Sequence, residues 1–532
     1  MPPLQSQSRS FATPLGDECD CNEDARFQEH YVKFNTTELQ RKAAETVNRP
    51  YCSQIIKMAE GGFNKVFLLT MDDGSEVVAR IPTPIAGPRG LTTASEVATM
   101  RFLRETLHIP VPRVLTYSPT SDNPVGAEYI LMERLRGEAL GPKWLSLSKT
   151  DMVDLMTQIA RIEKKIFNFK FPAYGSLYHR HDIPKESRVD FEVDGGDFCI
   201  GPICKRQFWH GERADMELDR GPWTSPADCV SAPARRELAC TSTFGKPRPR
   251  RAFLLPTEEN IDPREHISLL SQYLQVAPFP VPAQQEMATP ILRHPDLSFP
   301  NILLTPGTNK IEGILDWQDA SILPLFMQAG YPAFCEHNYS QVQSLKEPNL
   351  PDNYGELNDV DRMKTNIKLQ LEKANLYYYA ATGLENDLHL RALRLPGLGM
   401  IQYLISHAGY PWDADLINFR AGLVGLTKIW DGLISDPCPI SFSLDDEKAI
   451  LNDATEWREC EEILLNIQEN IGVDREGGTH PDDFEHAYEM AQRLRLQIYA
   501  NAEEKLRKLF WKSWIFKDDG DNSLLYFDLF YF

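Results

Sequence analysis

A chain of 532 residues with 42% hydrophobic and 25% charged side chains has room for two or three average domains, or for one large two-lobed enzyme. Its net charge of −20 excludes the broad basic field that draws a nucleic-acid polyanion, although a local basic pocket for a small anion is compatible with it. No apolar run reaches the roughly 20 residues of a membrane-spanning helix, and ten scattered cysteines do not form a disulfide scaffold.

Cys19 and Cys21 are spaced C-x-C and Cys199 and Cys204 C-x4-C, with no matching Cys/His cluster downstream. Structural zinc is therefore not expected, and a reducing compartment fits. The first 50 residues read as an N-terminal extension. Its start, MPPLQSQSRSFATPLG, has no acid before Asp17, several serines and one arginine, the direction of a mitochondrial transit peptide. It lacks the repeated arginines and amphipathic helix of such a signal, so an ordinary tail fits equally well.

Residues 51–134 read as a first lobe. The stretch QIIKMAEGGFNKVFLLTMDDGSEVVARI predicts three strands, with Asp73-Gly74 as a two-residue hairpin signal. Gly61 and Gly62 sit in the earlier turn, where absent side chains let backbone amides approach a ligand and consecutive N–H groups suit phosphate oxygens. LTTASEVATMRFLRETL follows with Val97, Met100, Leu103 and Leu107 at helical spacing, Thr93 or Ser95 as caps and Glu96 in the first turn. Glu96 either favours the helix dipole or pairs with Arg80 at the end of the preceding strand. VPRVLTYS and EYILMERL add two strands, which makes five strands with one helix between the third and fourth.

Residues 135–515 read as mostly helical, beginning with the amphipathic SKTDMVDLMTQIARIEKKIF, which Ser148 or Thr150 would cap. An insertion at about 178–290, rich in proline and charge, has helical pieces around 225–240 and 263–275. It suits either a substrate lid or a surface elaboration. Residues 516–532 read as a tail.

The chemistry lies in ILRHPDLSFPNILL (291–304) and IEGILDWQDA (311–320). They read as loop, strand, turn and strand, so a short hairpin would return Asp316 towards Asn301. Phosphoryl transfer uses such a set. Asp296 would take the hydrogen bond of a substrate hydroxyl and orient or deprotonate it, while Asn301 and Asp316 would hold Mg²⁺ through oxygen ligands. His294 would brace the loop backbone.

The order EGGFNKV, VVAR, SEVATM, HPDLSFPN and ILDW resembles the aminoglycoside phosphotransferase/choline kinase family of the protein-kinase-like fold, over residues 54 to 335. Within that family the chain is similar to the fungal group called altered inheritance of mitochondria protein 9. The likeness draws on ARIPTPIAGP, FCIGP and FWHGERADMELDRGPW, and it favours a mitochondrial location over a cytoplasmic one. It implies an α+β, two-lobed fold: an antiparallel five-stranded lobe with one helix, and a mostly helical second lobe. It also implies ATP as cofactor, with Gly61, Gly62 and Asn64 covering the phosphates and Met132 and Arg134 flanking the adenine. The family has Lys where this chain has Arg80, and a planar guanidinium is no simple substitute for a compact ammonium. Two readings follow: an ATP- and Mg²⁺-dependent small-molecule kinase acting on a hydroxyl, or a nucleotide-binding pseudokinase that serves as a mitochondrial scaffold or regulator. The acceptor and the oligomeric state stay open.

Overall fold

The computed structural model describes residues 30–514 apart from 194–195, 250–259, 280, 283, 336–344, 412–415, 474–478, 480–482, 503, 505–506 and 508–513. The start of the N-terminal extension, Cys19 and Cys21, and the tail at 516–532 lie outside the described residues.

The first lobe is built on strands β1 (Cys52–Glu60), β2 (Asn64–Met71), β3 (Glu76–Pro82), β4 (Val114–Ser118) and β5 (Tyr129–Glu133), all antiparallel in the order β1-β2-β3-β5-β4. The period-2 pattern of β3 puts Val77, Ala79 and Ile81 into the core of this lobe with Leu69, Met71 and Leu131, and so turns Arg80 to the other face. Helix α1 (Thr36–Thr46), capped by the Asn35 side chain, adds Leu39, Ala43 and Ala44 to that core. Part of the expected extension thus belongs to the lobe. The Asp73-Gly74 turn is longer than the two residues expected: Asp72 to Ser75 join the strands, and Gly74 takes φ +82°.

Helix α2 (Leu91–Arg101) runs between β3 and β4. Neither Thr93 nor Ser95 caps it. Gly90, at φ +76°, starts the helix earlier, and the Glu128 carboxylate accepts from Gly90 N–H (2.9 Å) and the Thr93 hydroxyl (2.7 Å). A side chain 38 residues downstream supplies the cap, which no local pattern shows. Glu96 therefore falls in the second turn, beyond the reach of the terminal dipole.

The second lobe opens with the short strand β6 (Glu138–Ala139) and helix α3 (Lys149–Asn168), which starts on a Ser148/Asp151 capping box. Strands β7 (Ser176–His179), β8 (Val189–Asp190) and β9 (Phe198–Gly201) form a sheet in the order β7-β9-β8 that packs against α2. Helix α4 (Pro226–Phe244), the pair β10 (Arg248–Pro249) and β11 (Asn260–Ile261), and helix α5 (Pro263–Val276) follow. Phe198, Ile200, Val230 and Leu270 share one core with Val97 and Phe102 of the first lobe, so much of the stretch expected as an insertion is built into the core.

Strand β12 (Pro290–Arg293) pairs with β15 (Ser321–Pro324), and β13 (Ile302–Leu304) pairs with both β14 (Ile311–Ile314) and β6. The remainder is helical: α6 (Leu325–Gln328), α7 (Asp359–Glu385), α8 (Asp387–Leu393), α9 (Leu398–His407), α10 (Ile417–Leu433), α11 (Leu444–Ile471) and α12 (Phe484–Asn501). Gly397, at φ +70°, breaks α8 from α9. The fold is the two-lobed α+β architecture that the sequence implies, a five-stranded antiparallel lobe above a mostly helical one. No helix among the described residues is long and apolar enough to cross a membrane. The described cysteines are unpaired in disulfides.

Candidate active site

Arg80 is 7% exposed and Glu96 3% exposed, and the two form an ion pair between Nη1 and Oε1. The other terminal nitrogen, Nη2, donates to Asp316 Oδ1 at 2.7 Å and to Gln318 Oε1 at 2.8 Å. One guanidinium thus joins β3, α2 and the segment after β14. Burial pushes the Glu96 carboxyl up to about 7, against the pull of Arg80 and with the help of the nearby Asp316 and Asp319 charges.

The segment after β12 is fixed by His294. Its ring is buried against Trp317, with centroids 4.5 Å apart. Asp296 N–H donates to Nδ1 at 3.1 Å, so the ring proton sits on Nε2, which donates to Leu315 O at 2.8 Å. Burial lowers the imidazole pKa, which keeps the ring neutral and holds this tautomer. His294 therefore ties the loop backbone at Asp296 to Leu315. The Asp296 carboxylate is exposed and accepts from Ser298 Oγ at 3.1 Å. Asn301 Nδ2 donates to Asp296 O at 2.9 Å.

The β13–β14 pairing continues into a bond from Leu315 N–H to Asn301 O at 2.8 Å, which brings Asp316 beside Asn301. Asp316 and Asp319 both adopt left-handed backbone, φ +59° and +61°, a conformation uncommon outside glycine. Burial would raise the Asp316 pKa, but the Arg80 charge and hydrogen bond outweigh it and hold the carboxylate below its usual value. Its side chain is still 47% exposed. Asp319 is pushed up to about 7 by burial, opposed by Lys205 and reinforced by Asp316, and its Oδ1 is buried without a hydrogen bond.

The donor set suits Mg²⁺. With its amide nitrogen committed to Asp296, Asn301 offers an oxygen, and Asp316 offers a carboxylate, the hard ligands this ion takes. Among the described residues no three His, Cys, Asp or Glu cluster as a metal site.

At the glycine turn, Gly61 N–H closes the hairpin onto Asn64 O at 3.0 Å, so that amide is committed. A Cβ at Gly61 or Gly62 would meet open space. Asn64 Nδ2 donates to Gln318 Oε1 at 2.7 Å, and Gln318 Nε2 donates to Ala86 O at 2.9 Å. Gln318 thus ties the turn, the β3 cation and the residue 83–90 loop together, a role sequence reasoning did not assign. The only local signal was its place in ILDWQDA, two residues after Asp316.

Met132 is buried in the core shared by the lobes. Arg134 forms an ion pair with Glu76 and lines a cavity of about 690 Å³ with Arg104, His108, Pro110, Leu135 and Glu312. None of Arg80, Glu96, Asp296, Asn301 and Asp316 borders that cavity.

The profile of the Phosphotransferase enzyme family matches residues 55–328, a span that holds every residue placed in this site. A Subtelomeric hrmA-associated cluster protein of Aspergillus fumigatus is 50% identical over 509 residues, 90% of this chain and 99% of that one. Altered inheritance of mitochondria protein 9, mitochondrial, is 24% identical in Meyerozyma guilliermondii, over 72% of this chain and 66% of that one. In Zygosaccharomyces rouxii it is 25% identical, over 78% and 72%. A solved streptomycin–ATP complex of an aminoglycoside phosphotransferase covers 75% of this chain and 97% of its own at 14% identity and TM-score 0.35, a distance that supports no statement about ligands. The profile match runs from the first strand of the upper lobe through the Asp296–Asp316 hairpin to the end of α6, and it places this chain in the phosphotransferase enzyme family.

Proposed function

We propose that the protein is an ATP- and Mg²⁺-dependent phosphotransferase that moves the terminal phosphate of ATP to a hydroxyl of a small molecule. One observation carries this reading: Asp296 is exposed, while the bonds from Asn301 to Asp296 and from Leu315 to Asn301 gather it with two oxygen ligands. Asp296 accepts the hydrogen bond of the acceptor hydroxyl and takes its proton as the new O–P bond forms, while the bond from the γ-phosphorus to the β,γ-bridging oxygen breaks and ADP leaves. Asn301 and Asp316 would hold Mg²⁺, whose charge offsets that of the phosphates. Gly61, Gly62 and Asn64 would cover the phosphates, and Met132 and Arg134 would border the adenine. The stretch at about 178–290 and the helices after Trp317 would contribute the acceptor pocket.

A second reading, a nucleotide-binding pseudokinase acting as a scaffold, draws on the commitment of both terminal nitrogens of Arg80 to Glu96, Asp316 and Gln318. The mitochondrial location rests on the name of the yeast relatives, and a fluorescent C-terminal fusion imaged with a mitochondrial dye tests it.

The wild type and Asp296→Asn, each incubated with labelled Mg-ATP and a fungal metabolite extract, separate the two functional readings. The expected result is equal ATP binding, with transfer lowered in the variant by about 10²- to 10⁴-fold. Binding without transfer in both proteins establishes the scaffold instead. Undiminished Mg-ATP affinity in Asp316→Ala removes the metal assignment.

A further inference from the structure

Arg80 acts as a strut between the lobes. Its terminal nitrogens are bonded to Glu96, Asp316 and Gln318, and its Nε is buried. A phosphate would have to displace one of these partners to use it. Transfer still requires positive charge near the phosphates, and the structure holds a second source.

The turn Ile203–Phe208 is clamped over the start of α2. Cys204 N–H donates to Ser176 Oγ at 3.1 Å, Ile203 N–H to Arg220 O at 2.8 Å and Phe208 N–H to Lys205 O at 3.0 Å. Cys204 O lies so close to the residue 83–90 loop that a Cβ on Gly87 would sit 3.6 Å from it. The two residues that follow Cys204 are both cations. Lys205, Arg206, Arg80 and Asp316 all act on the Asp319 carboxyl, so these charges form one group. The Arg206 guanidinium also lies over the ring of Phe63, 5.3 Å from its centroid, and Phe63 follows directly on Gly61-Gly62. Lys205 thus follows directly on the anchored Cys204 in this turn, and Arg206 stands on the side of the glycine turn.

Given the nucleotide-binding reading above, we infer that Lys205 and Arg206 hold the β- and γ-phosphates of the nucleotide against the glycine turn, in place of the β3 cation. A compact ammonium with three donors suits a phosphate oxygen. A guanidinium seated on Phe63 fixes the turn as it contacts the phosphate. Both come from a part of the second lobe that also packs on α2, so phosphate binding would pull the lobes together.

The test measures affinities for Mg-ATP and for adenosine in the full-length wild type, Lys205→Met, Arg206→Met and Lys205→Arg, with thermal melting of each. Lys205→Met is expected to weaken Mg-ATP binding about ten- to hundredfold and to leave adenosine binding unchanged. Lys205→Arg, which keeps the charge, restores most of the loss. A purely structural Lys205–Asp319 pair would lower the melting temperature and shift both ligands alike, which overturns the assignment. So does native melting with unchanged ATP affinity in both Met variants. If Lys205→Met does not fold, the half-buried Arg206→Met gives the same comparison. A wild type that binds neither ATP nor adenosine defeats the nucleotide reading itself, whereas a wild type that binds both alike defeats only the phosphate assignment.

Discussion

Gln318 Oε1 accepts from Asn64 Nδ2 and from Arg80 Nη2, and the opposite end of the same amide donates to Ala86 O. At 7% exposure there is little water to replace any of these partners. Gln318→Ala should therefore cost about 1–3 kcal/mol, the range for stranding buried donors. The loss should show in the urea midpoint, together with faster amide exchange across residues 61–64, where the Asn64 tether is gone. Unchanged exchange there would mean that the hairpin holds its turn unaided. The same residue explains why Arg80 is tolerated. A guanidinium needs several acceptors, and Glu96, Asp316 and Gln318 supply them to both terminal nitrogens.

At the scale of elements, α2 carries Glu96 to Arg80, and the start of α2 is set by Glu128. Its carboxylate takes Gly90 N–H and the Thr93 hydroxyl, the work of an N-cap done from the β4–β5 connection. Glu128→Ala should destabilise the protein by about 1 kcal/mol. Exchange protection should fall over residues 91–96 while the strands stay protected, and native protection there would show that Gly90 alone defines the helix start. The β12 strand that leads into the proposed catalytic loop has a comparable anchor. Arg293 donates to Glu163 (3.2 Å), Gln328 O and Gly330 O (both 2.8 Å), so the residue before His294 is fixed from α3 and from the C-terminal end of α6 and the turn just after it.

Across the whole molecule, buried titratable groups set opposing pH dependences. His266, 0% exposed between α4 and Phe419 of α10, is lowered from 6.5 to about 4, chiefly by burial. Between about pH 6.5 and pH 4 the unfolded chain binds this proton and the folded one does not, so stability falls as the pH falls through that window. Glu96 and Asp319, each raised to about 7, act oppositely: the folded chain holds their protons longer, and stability falls as the pH rises towards 7. The difference between wild type and His266→Gln isolates the histidine. It should change by about 3 kcal/mol between pH 7 and pH 4 in urea melts, with the wild type losing more on acidification. A pH-independent difference would show that His266 binds its proton as readily in the fold as in the unfolded chain, against the effect of its burial.

The local patterns of the chain determine its five first-lobe strands and the β13–β14 pair, the turn glycines, most helices of the second lobe and the spacing of His294, Asp296, Asn301 and Asp316. Each follows from alternation, helical period or turn chemistry within about ten residues. The hairpin that returns Asp316 to Asn301 was legible for the same reason, since β13 and β14 are neighbours in sequence. Distant partners were not legible. The Glu128 cap, the Gln318 bridge 254 residues from Asn64, the entry of α1 into the upper core and the seating of Arg206 over Phe63 all join segments whose own patterns are satisfied without them. Only tertiary packing, within the first lobe for the cap and α1 and between the lobes for the others, decided those contacts, because a buried polar group takes whichever partner the surrounding fold brings within hydrogen-bond reach.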